Sequence, residues 1–294
     1  MRYVSYEKNG GPRLGVVVGA EVVDITSNLP GAPATMLELI RAGADMGRKV
    51  QAACAAASER IPLAQCRLLS PLTNPGKFVC LGLNYAEHAR EGGHDLPDYP
   101  SLFLRATTSL IGPNDPMIVP SCSSHLDYEA ELTIVIGERC RHVPESEAKS
   151  VIFGYTVFND GSVRDYQRRT NQWTAGKNFD GTGALGPWIV TADEVPDNAK
   201  GLGIRTRLNG QVMQDSNTDY MIFSVYRTIA ILSEIMTLEP GDLIATGTPN
   251  GVGHARRPPV WMRPGDVVEV EVDGIGTLSN PIAAEVETPE RAIA

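Results

Sequence analysis

The segment at residues 127–137, DYEAELTIVIG, constrains the fold more than any other part of this chain. It is an apolar run with strict alternation that contains Glu129 and Glu131, and in a β-strand such alternate residues share one face. Two carboxylates so close repel each other unless a cation lies between them or one takes up a proton, so the spacing favours a hard divalent metal ion with oxygen ligands. Any half-buried strand alternates in this way, so the pattern also allows two glutamates on a solvent-exposed face.

A third carboxylate follows the next strongly apolar segment, VIFGYTVFN at residues 151–159. The segment predicts a β-strand, and Asp160 comes at its carboxyl end, where a Gly-Ser pair ends the strand. We therefore expect Asp160 to lie beside a cleft and to complete a metal site with Glu129 and Glu131.

A histidine and a glutamate lie three residues apart at a predicted helix, residues 84–90, which glycines end. His88 and Glu91 would occupy neighbouring positions of one helix face. A carboxylate beside a histidine holds one imidazole tautomer and raises its basicity, as a general base that activates water requires. An exposed ion pair is the commoner arrangement of this kind. The following tract, residues 92–100, is rich in Gly and Pro and predicts a flexible loop, so we expect the helix to close as a lid.

Three further polar residues have weaker local signals. Gln167 lies on a predicted polar helix, residues 163–170, about two turns beyond the third carboxylate, where it either shares the cleft or is simply solvated. Lys177 lies in an irregular loop, where a lysine is usually surface charge. Thr248 belongs to the segment at residues 241–253, a predicted strand that runs into a glycine loop. The loop lacks the Gly-Lys-Ser/Thr ending of a phosphate loop and predicts either a cradle for a carboxylate or a plain tight turn.

The chain changes character near residue 70. Residues 3–25 predict a small strand meander, and an amphipathic helix follows from about Thr35 into residues 50–57, with an interruption near Gly43. Short strands dominate beyond that point. We therefore predict a β-rich α+β protein with a small N-terminal strand-and-helix domain at residues 1–70 and a catalytic domain at 71–294.

Composition excludes several classes of protein. The chain has 294 residues, 42% of them hydrophobic and 21% charged, which predicts a soluble globular protein. Its formal net charge of -9 argues against a nucleic-acid partner. No apolar run is long enough to predict a membrane span, and the chain opens on a strand without a signal peptide, so we expect a cytoplasmic protein. The five cysteines form no CxxC pair and predict reduced thiols. The GxSxG, HExxH and Rossmann motifs are missing from the sequence, which argues against a serine hydrolase, a zinc peptidase and a nicotinamide dehydrogenase.

Six motifs share one order and spacing in the second part of the chain: GLNYAEH at 82–88, YEAEL at 128–132, GYTVFND at 154–160, RDYQ at 164–167, KNFD at 177–180 and TGTPNGVG at 246–253. Their combination over about residues 75–282 resembles the fumarylacetoacetate hydrolase family. This match is far more specific than any single motif.

The resemblance implies a catalytic domain with a mixed β-roll, one Mg²⁺ or Mn²⁺ ion per subunit, and a homodimer. It also implies roles for individual residues: metal ligation by Glu129, Glu131 and Asp160; water activation by His88 and Glu91; substrate polarisation by Lys177 and Gln167; and substrate binding by Arg105, Thr248, Tyr85 and Gly247.

One departure from the family pattern concerns the substrate. Similar sequences often have Lys-Pro where this chain has Arg105-Ala106, at a position that is close to the substrate in the family. An Arg fork binds a carboxylate at two points, so we expect a diacid substrate.

The leading hypothesis is a metal-dependent hydrolase that cleaves a carbon–carbon bond in a 2-oxo acid of the acylpyruvate type. Such a substrate is a 2,4-dioxo acid, for example fumarylpyruvate, and the products are pyruvate and an acid. The reaction would belong to the catabolism of an aromatic or sugar acid. Decarboxylation of an oxaloacetate-like acid and isomerisation of a 2-oxo acid are alternatives that use the same chelated enolate. A catalytically inert binding protein is the alternative from another class, and the intact acid trio and His-Glu pair argue against it.

Overall fold

The computed structural model of the chain describes residues 1–93 and 95–286. The strands are β1 Arg2–Lys8, β2 Gly11–Val18, β3 Glu21–Asp24, β4 Ile61–Pro62, β5 Arg67–Leu69, β6 Phe78–Gly82, β7 Ser101–Leu104, β8 Leu110–Ile111, β9 Met117–Val119, β10 Leu126–Asp127, β11 Ala130–Ile136, β12 Ile152–Asp160, β13 Ser162–Val163, β14 Gly183–Thr191, β15 Gly203–Leu208, β16 Gln211–Asn217, β17 Leu243–Ala245, β18 Val267–Val272 and β19 Gly276–Ala284. The α-helices are α1 Ile25–Asn28, α2 Met36–Arg41, α3 Gly43–Ala56, α4 Ala86–Glu91, α5 Arg164–Gln167, α6 Thr174–Lys177 and α7 Val225–Ile235.

The N-terminal part has the predicted meander followed by helix. Strands β1, β2 and β3 pair antiparallel in chain order. Helix α2 begins after Thr35, whose hydroxyl accepts a hydrogen bond from the backbone N–H of Glu38 at 3.2 Å and so caps the first turn. The interruption predicted near Gly43 is confirmed, because α2 ends at Arg41 and α3 begins at Gly43, which has a φ of 68°.

One large sheet runs through the molecule in the order β4-β3-β2-β1-β14-β12-β11-β17-β6-β7, with β5 on β1 and β8 on β14. The N-terminal meander joins the later strands at the β1–β14 pair, where Arg2 lies opposite Val190 and Tyr3 opposite Ile189. The division at about residue 70 therefore stays a prediction about folding units, since the strands on its two sides are hydrogen-bonded together.

A second sheet, in the order β16-β15-β18-β19-β9, covers one face of the first. Leu132 and Ile134 of β11 point towards it and share its apolar core, whereas Val135 belongs to the core on the opposite face. Every residue of β11 is buried. The interpretation of this strand as one with a solvent-exposed face is therefore wrong, because the sheet is covered on both sides. The β-rich α+β class is confirmed.

Several predicted helices differ from the observed ones. The polar helix predicted at 163–170 is only the single turn α5, and the loop predicted around Lys177 contains the helical turn α6. Helix α7 begins after Ser224, whose hydroxyl accepts a hydrogen bond from the backbone N–H of Arg227. Its last residue, Ile235, is 45% exposed. All five cysteines are free. Among the described residues, none of the helices is both long and apolar enough to cross a membrane.

Candidate active site

Three carboxylates meet where β12 ends and β11 begins. The two strands are antiparallel, and the backbone N–H of Asp160 donates to the carbonyl of Glu129 at 3.0 Å, which places these two residues side by side. Glu131 follows Glu129 by two residues, so its side chain lies on the same face of the strand. One carboxylate oxygen from each of the three acids lies within 4.8 Å of the others, and all three side chains are buried. The structure thus brings together the trio that the sequence predicts.

Basic groups surround two of these acids. The ammonium of Lys177 lies 2.7 Å from Glu129 Oε2 and 2.6 Å from Asp160 Oδ2. The guanidinium of Arg105 pairs with Asp160, and Arg164 Nη1 lies 2.7 Å from Glu129 Oε1. Burial favours the neutral form of Glu129, but the charges of Lys177 and Arg164 outweigh it and hold the pKa of Glu129 below its usual range.

Glu131 has the opposite electrostatic balance. Its carboxylate accepts a hydrogen bond from the backbone N–H of Gly247 at 2.8 Å, and no basic side chain in the described part of the chain forms a salt bridge with it. Burial and the neighbouring charges of Asp160 and Glu129 raise the pKa of Glu131 well above its usual value. The acid cluster is therefore short of positive charge at Glu131.

The lack of positive charge at Glu131 and the chemistry of the carboxylate ligands decide whether the residues fit a metal ion. Oxygen ligands from carboxylates suit Mg²⁺ or Mn²⁺ and do not suit soft metals. A divalent cation beside Glu131 would stabilise its ionised form, which burial disfavours. The three acids thus fit a hard divalent ion.

A fourth buried acid holds this cluster in place. Asp127 Oδ2 accepts from Arg164 Nε at 2.8 Å, and Oδ1 accepts from the backbone N–H of Gly253 at 2.8 Å. Burial works against ionisation, yet the charge of Arg164 and hydrogen bonding from His254 lower the pKa of Asp127. A Cβ at position 253 would collide with the carbonyl of Val260 and come within 2.6 Å of Asp127 Oδ1, so only glycine fits there.

A cleft of about 580 Å³ opens above the acids. Among the predicted residues, the side chains that line it are Glu129, His88, Lys177, Gln167 and Thr248. The residues that line it without a predicted role include Arg164, Arg168, Thr170, Asn171, Trp173 and His254. Arg164 lies in one of the six sequence motifs, and His254 directly follows another. Their position in or beside these motifs was the sequence signal that could have identified them as cleft residues.

Three predicted substrate-binding residues lie away from the cleft wall. The guanidinium of Arg105 is buried and donates to Asp160, to Ser109 Oγ at 3.1 Å and to Thr182 Oγ1 at 2.9 Å. The backbone N–H of Gly247 donates a hydrogen bond to Glu131. Tyr85 is buried, and its hydroxyl has no hydrogen-bond partner in the described ranges. Substrate contact by these residues stays a prediction, and the argument from Arg105 to a diacid has no direct geometric support.

The predicted His-Glu pair lies at the cleft on α4. His88 Nδ1 is 3.5 Å from Glu91 Oε2, and both carboxylate oxygens of Glu91 accept from the backbone N–H of Gly251 at 3.1 Å. The glycine loop therefore holds the carboxylate next to the imidazole. The loop predicted at residues 92–100 includes His94, which lies outside the described residues, and closure of the helix as a lid stays a prediction.

Lys177 provides a test of the charge balance. We expect Lys177→Met, measured by urea unfolding in the presence of a chelator, to lower the free energy of unfolding by about 3 kcal/mol, because it leaves Glu129 and Asp160 buried without their shared ammonium. Added Mg²⁺ should reduce this loss, since a divalent cation at the acids offsets the same repulsion.

The matched control is Lys149→Met, which removes an exposed lysine 2.8 Å from Asp197 and should leave the free energy of unfolding nearly unchanged. Equal effects of the two substitutions would show that the buried ammonium does not balance the acids.

Comparison with known proteins adds independent findings. The sequence profile of the fumarylacetoacetate (FAA) hydrolase C-terminal domain matches residues 77–283. A mitochondrial oxaloacetate tautomerase, fahd2 of Xenopus laevis, is 39% identical over 288 residues, which cover 96% of this chain and 90% of that protein.

Two solved structures are similar over nearly the whole chain. Fumarylacetoacetate hydrolase from Exiguobacterium antarcticum has a TM-score of 0.85 at 36% identity, covering 97% of this chain and all of that one. Maleylpyruvate hydrolase from Sphingobium sp. SYK-6, in complex with manganese(II) ion and pyruvate, has a TM-score of 0.82 at 35% identity with the same coverage.

Proposed function

Because this chain belongs to the fumarylacetoacetate hydrolase family, we propose that it is an enzyme that interconverts the enol and keto forms of a small 2-oxo acid such as oxaloacetate. The observation that carries this proposal is the buried acid trio, whose Glu129 lines a cleft that also holds a histidine beside a carboxylate. The similarity to a protein named oxaloacetate tautomerase, over nearly the full length of both chains, supports this choice of reaction.

Glu129, Glu131 and Asp160 would hold one Mg²⁺ or Mn²⁺ ion per subunit. When bound, such an ion supplies a positive charge that stabilises the enolate of a 2-oxo acid. The neighbour that was solved with manganese(II) and pyruvate supports both the metal and the ligand class.

The side chains of the cleft suit an anionic substrate. Arg164, Arg168 and Lys177 all line it. Thr248 Oγ1 accepts a hydrogen bond from Gln214 Nε2 at 2.9 Å, which leaves its own proton free to donate to a substrate carboxylate. Arg164 Nη1 donates to Gln167 Oε1 at 2.9 Å, so the amide NH₂ of Gln167 is oriented away from Arg164 and is a donor for a substrate oxygen.

His88 would move the proton. Tautomerisation transfers one proton at carbon 3 and one at the oxygen of carbon 2, and it needs no water nucleophile. An imidazole held beside the Glu91 carboxylate is oriented for such a transfer. Lys177 and Gln167 would stabilise negative charge on the substrate oxygens.

Hydrolysis of an acylpyruvate is the second candidate, and the similarity to a maleylpyruvate hydrolase favours it. In this reaction His88 would take a proton from water, the water oxygen would attack the distal carbonyl, and the carbon–carbon bond would break to release pyruvate and an acid. A role in aromatic catabolism follows only from this candidate. Decarboxylation of oxaloacetate is a third possibility for the same site.

A substrate panel separates these reactions. We expect the enzyme with Mg²⁺ to accelerate the loss of enol absorbance of oxaloacetate without release of pyruvate, because tautomerisation breaks no carbon–carbon bond. Acetylpyruvate and fumarylpyruvate should release little pyruvate. Ultraviolet absorbance and a coupled assay for pyruvate, run in parallel, measure both outcomes.

Pyruvate release from the acylpyruvates alone would establish the hydrolase instead. Pyruvate and carbon dioxide from oxaloacetate would establish the decarboxylase. Absence of all three activities would favour the inert binding protein.

The assembly and the location are further proposals. The proposal of a homodimer rests on the family resemblance. The exposure of Leu104 in the end strand of the large sheet, and of Tyr99 just before that strand, is compatible with it. The cytoplasmic location rests on the sequence alone, and the Xenopus relative is named as a mitochondrial protein.

A further inference from the structure

The cleft contains a second histidine that the proposed reaction has not yet used. His254 lies in a 3₁₀ turn directly after the glycine loop, and its side chain lines the same cleft as His88. Both imidazoles are about equally accessible, each with a side chain that is 12% exposed.

The two histidines have the same local arrangement. His254 Nδ1 lies 3.4 Å from Asp127 Oδ2, as His88 Nδ1 lies 3.5 Å from Glu91 Oε2. In each histidine, Nδ1 is buried and forms no hydrogen bond of good geometry within the described ranges. The Nε2 atoms differ, because neither is both buried and without a hydrogen-bond partner. A carboxylate beside Nδ1 favours the tautomer with its proton on that nitrogen, which leaves Nε2 as a proton acceptor accessible from the cleft.

The carboxylate beside His254 is firmly held. Asp127 accepts hydrogen bonds from Arg164 Nε at 2.8 Å, from the N–H of Gly253 at 2.8 Å and from the N–H of His254 itself at 3.0 Å. The loop that carries His254 is therefore fixed to the carboxylate that orients its ring.

Few other groups in the cleft can exchange a proton. Arg164, Arg168 and Lys177 are donors whose protonated forms are retained near neutral pH. Glu129 has one oxygen paired with Arg164 and the other with Lys177, each at 2.7 Å. Among the described cleft residues, this leaves His88 and His254 as the groups that can both accept and release a proton.

We propose that His254, oriented by Asp127, is a second proton-transfer residue of this cleft. The inference rests on the proposed tautomerisation. Conversion of enol to ketone removes the proton of the hydroxyl on carbon 2, whose O–H electron pair completes the carbonyl. The pair of the C2=C3 double bond takes up a proton to form the new C3–H bond. Nε2 of His254 accepts the first proton and protonated His88 delivers the second, so the protons balance and no further reactant is needed.

Kinetics provide the first test. His254→Gln keeps the size and polarity of the side chain but cannot transfer a proton, so we expect kcat for ketonisation to fall about tenfold or more, with KM changed less than about threefold. His125→Gln is the matched control, because His125 Nδ1 also faces a carboxylate, Asp165 at 3.8 Å, but the residue does not line the cleft. An unchanged kcat in His254→Gln would overturn the inference.

Nitrogen NMR of the ¹⁵N-histidine-labelled enzyme with Mg²⁺ provides a test that does not depend on turnover. The signals of His254 are identified as those that vanish in His254→Gln. They should report a proton on Nδ1 and an unprotonated Nε2, and the Nε2 signal should shift when oxalate is added. A proton on Nε2, or no response to oxalate, would overturn the placement of this nitrogen in the cleft. If the wild-type enzyme responds to oxalate but shows no ketonisation, the proposed function fails while the placement stands.

Discussion

Removal of divalent metal ions with a chelator should lower turnover at least about a thousandfold, and Mg²⁺ or Mn²⁺ should restore it. The reason is electrostatic: three buried carboxylates cluster at the cleft, where Glu129 lines the wall, and an enolate formed beside them would add a further negative charge. A thousandfold loss corresponds to about 4 kcal/mol of transition-state stabilisation, which is what a well-placed cation supplies. Ketonisation assays before and after readdition of the metal measure this effect.

A substitution separates metal binding from other effects of the chelator. Glu131→Gln keeps the shape of the side chain and removes the charge that has no salt-bridge partner among the described residues. Mg²⁺ should raise the thermal unfolding temperature of the wild-type protein and not that of this variant. Glu239→Gln is the control, because Glu239 is exposed and paired with Arg139. Full activity of the wild-type enzyme without metal would contradict the assignment of the acid trio.

Replacement of His88 by alanine should lower kcat about a hundredfold or more, the range in which positioned general acids and bases usually contribute. Metal affinity should hardly change, because His88 does not belong to the acid trio. Glu91→Ala should act in the same direction but less strongly, since it removes only the group beside Nδ1. The measurements are kcat and KM together with the thermal shift produced by Mg²⁺.

The reaction type changes what His88→Ala should do. Tautomerisation and hydrolysis both need a proton-transfer residue, whereas the bond cleavage of a decarboxylation needs neither a proton transfer nor a water nucleophile and should survive the substitution. Near wild-type ketonisation and hydrolysis in His88→Ala would show that the His-Glu pair is only an ion pair of helix α4. His125→Ala serves as the control here too, because His125 lies outside the cleft.

Local sequence patterns predicted the strands and the acids well. The alternation around Glu129 and Glu131 and the strand end at Asp160 are properties of a few neighbouring residues, and strand geometry converts them directly into positions. The family resemblance is confirmed by the match over residues 77–283. The sequence could not decide whether the face of β11 that carries the glutamates was solvent-exposed, because that depends on what covers the sheet.

Long-range electrostatics explain what the sequence did not predict. A lysine in a loop is usually exposed, but Lys177 is buried because it pairs with acids that lie 48 and 17 residues earlier in the chain. Arg105 donates to Asp160, 55 residues further on, and its contact with substrate stays a prediction. No local pattern contains such partners, and the same is true of Asp127 beside His254.

The pairing of β1 with β14 has a consequence for synthesis of the protein. One edge of β1 is completed by β5 at residues 5–7, but its residues 2 and 3 pair with Ile189 and Val190. At a translation rate of about 5–20 residues per second, β1 leaves the ribosome roughly ten to forty seconds before β14. During that interval the backbone N–H and C=O groups at this end of β1 lack their native partners, and an open strand edge is a template for pairing with other chains. Nascent chains therefore face a period of aggregation risk that a full-length chain refolding from denaturant does not.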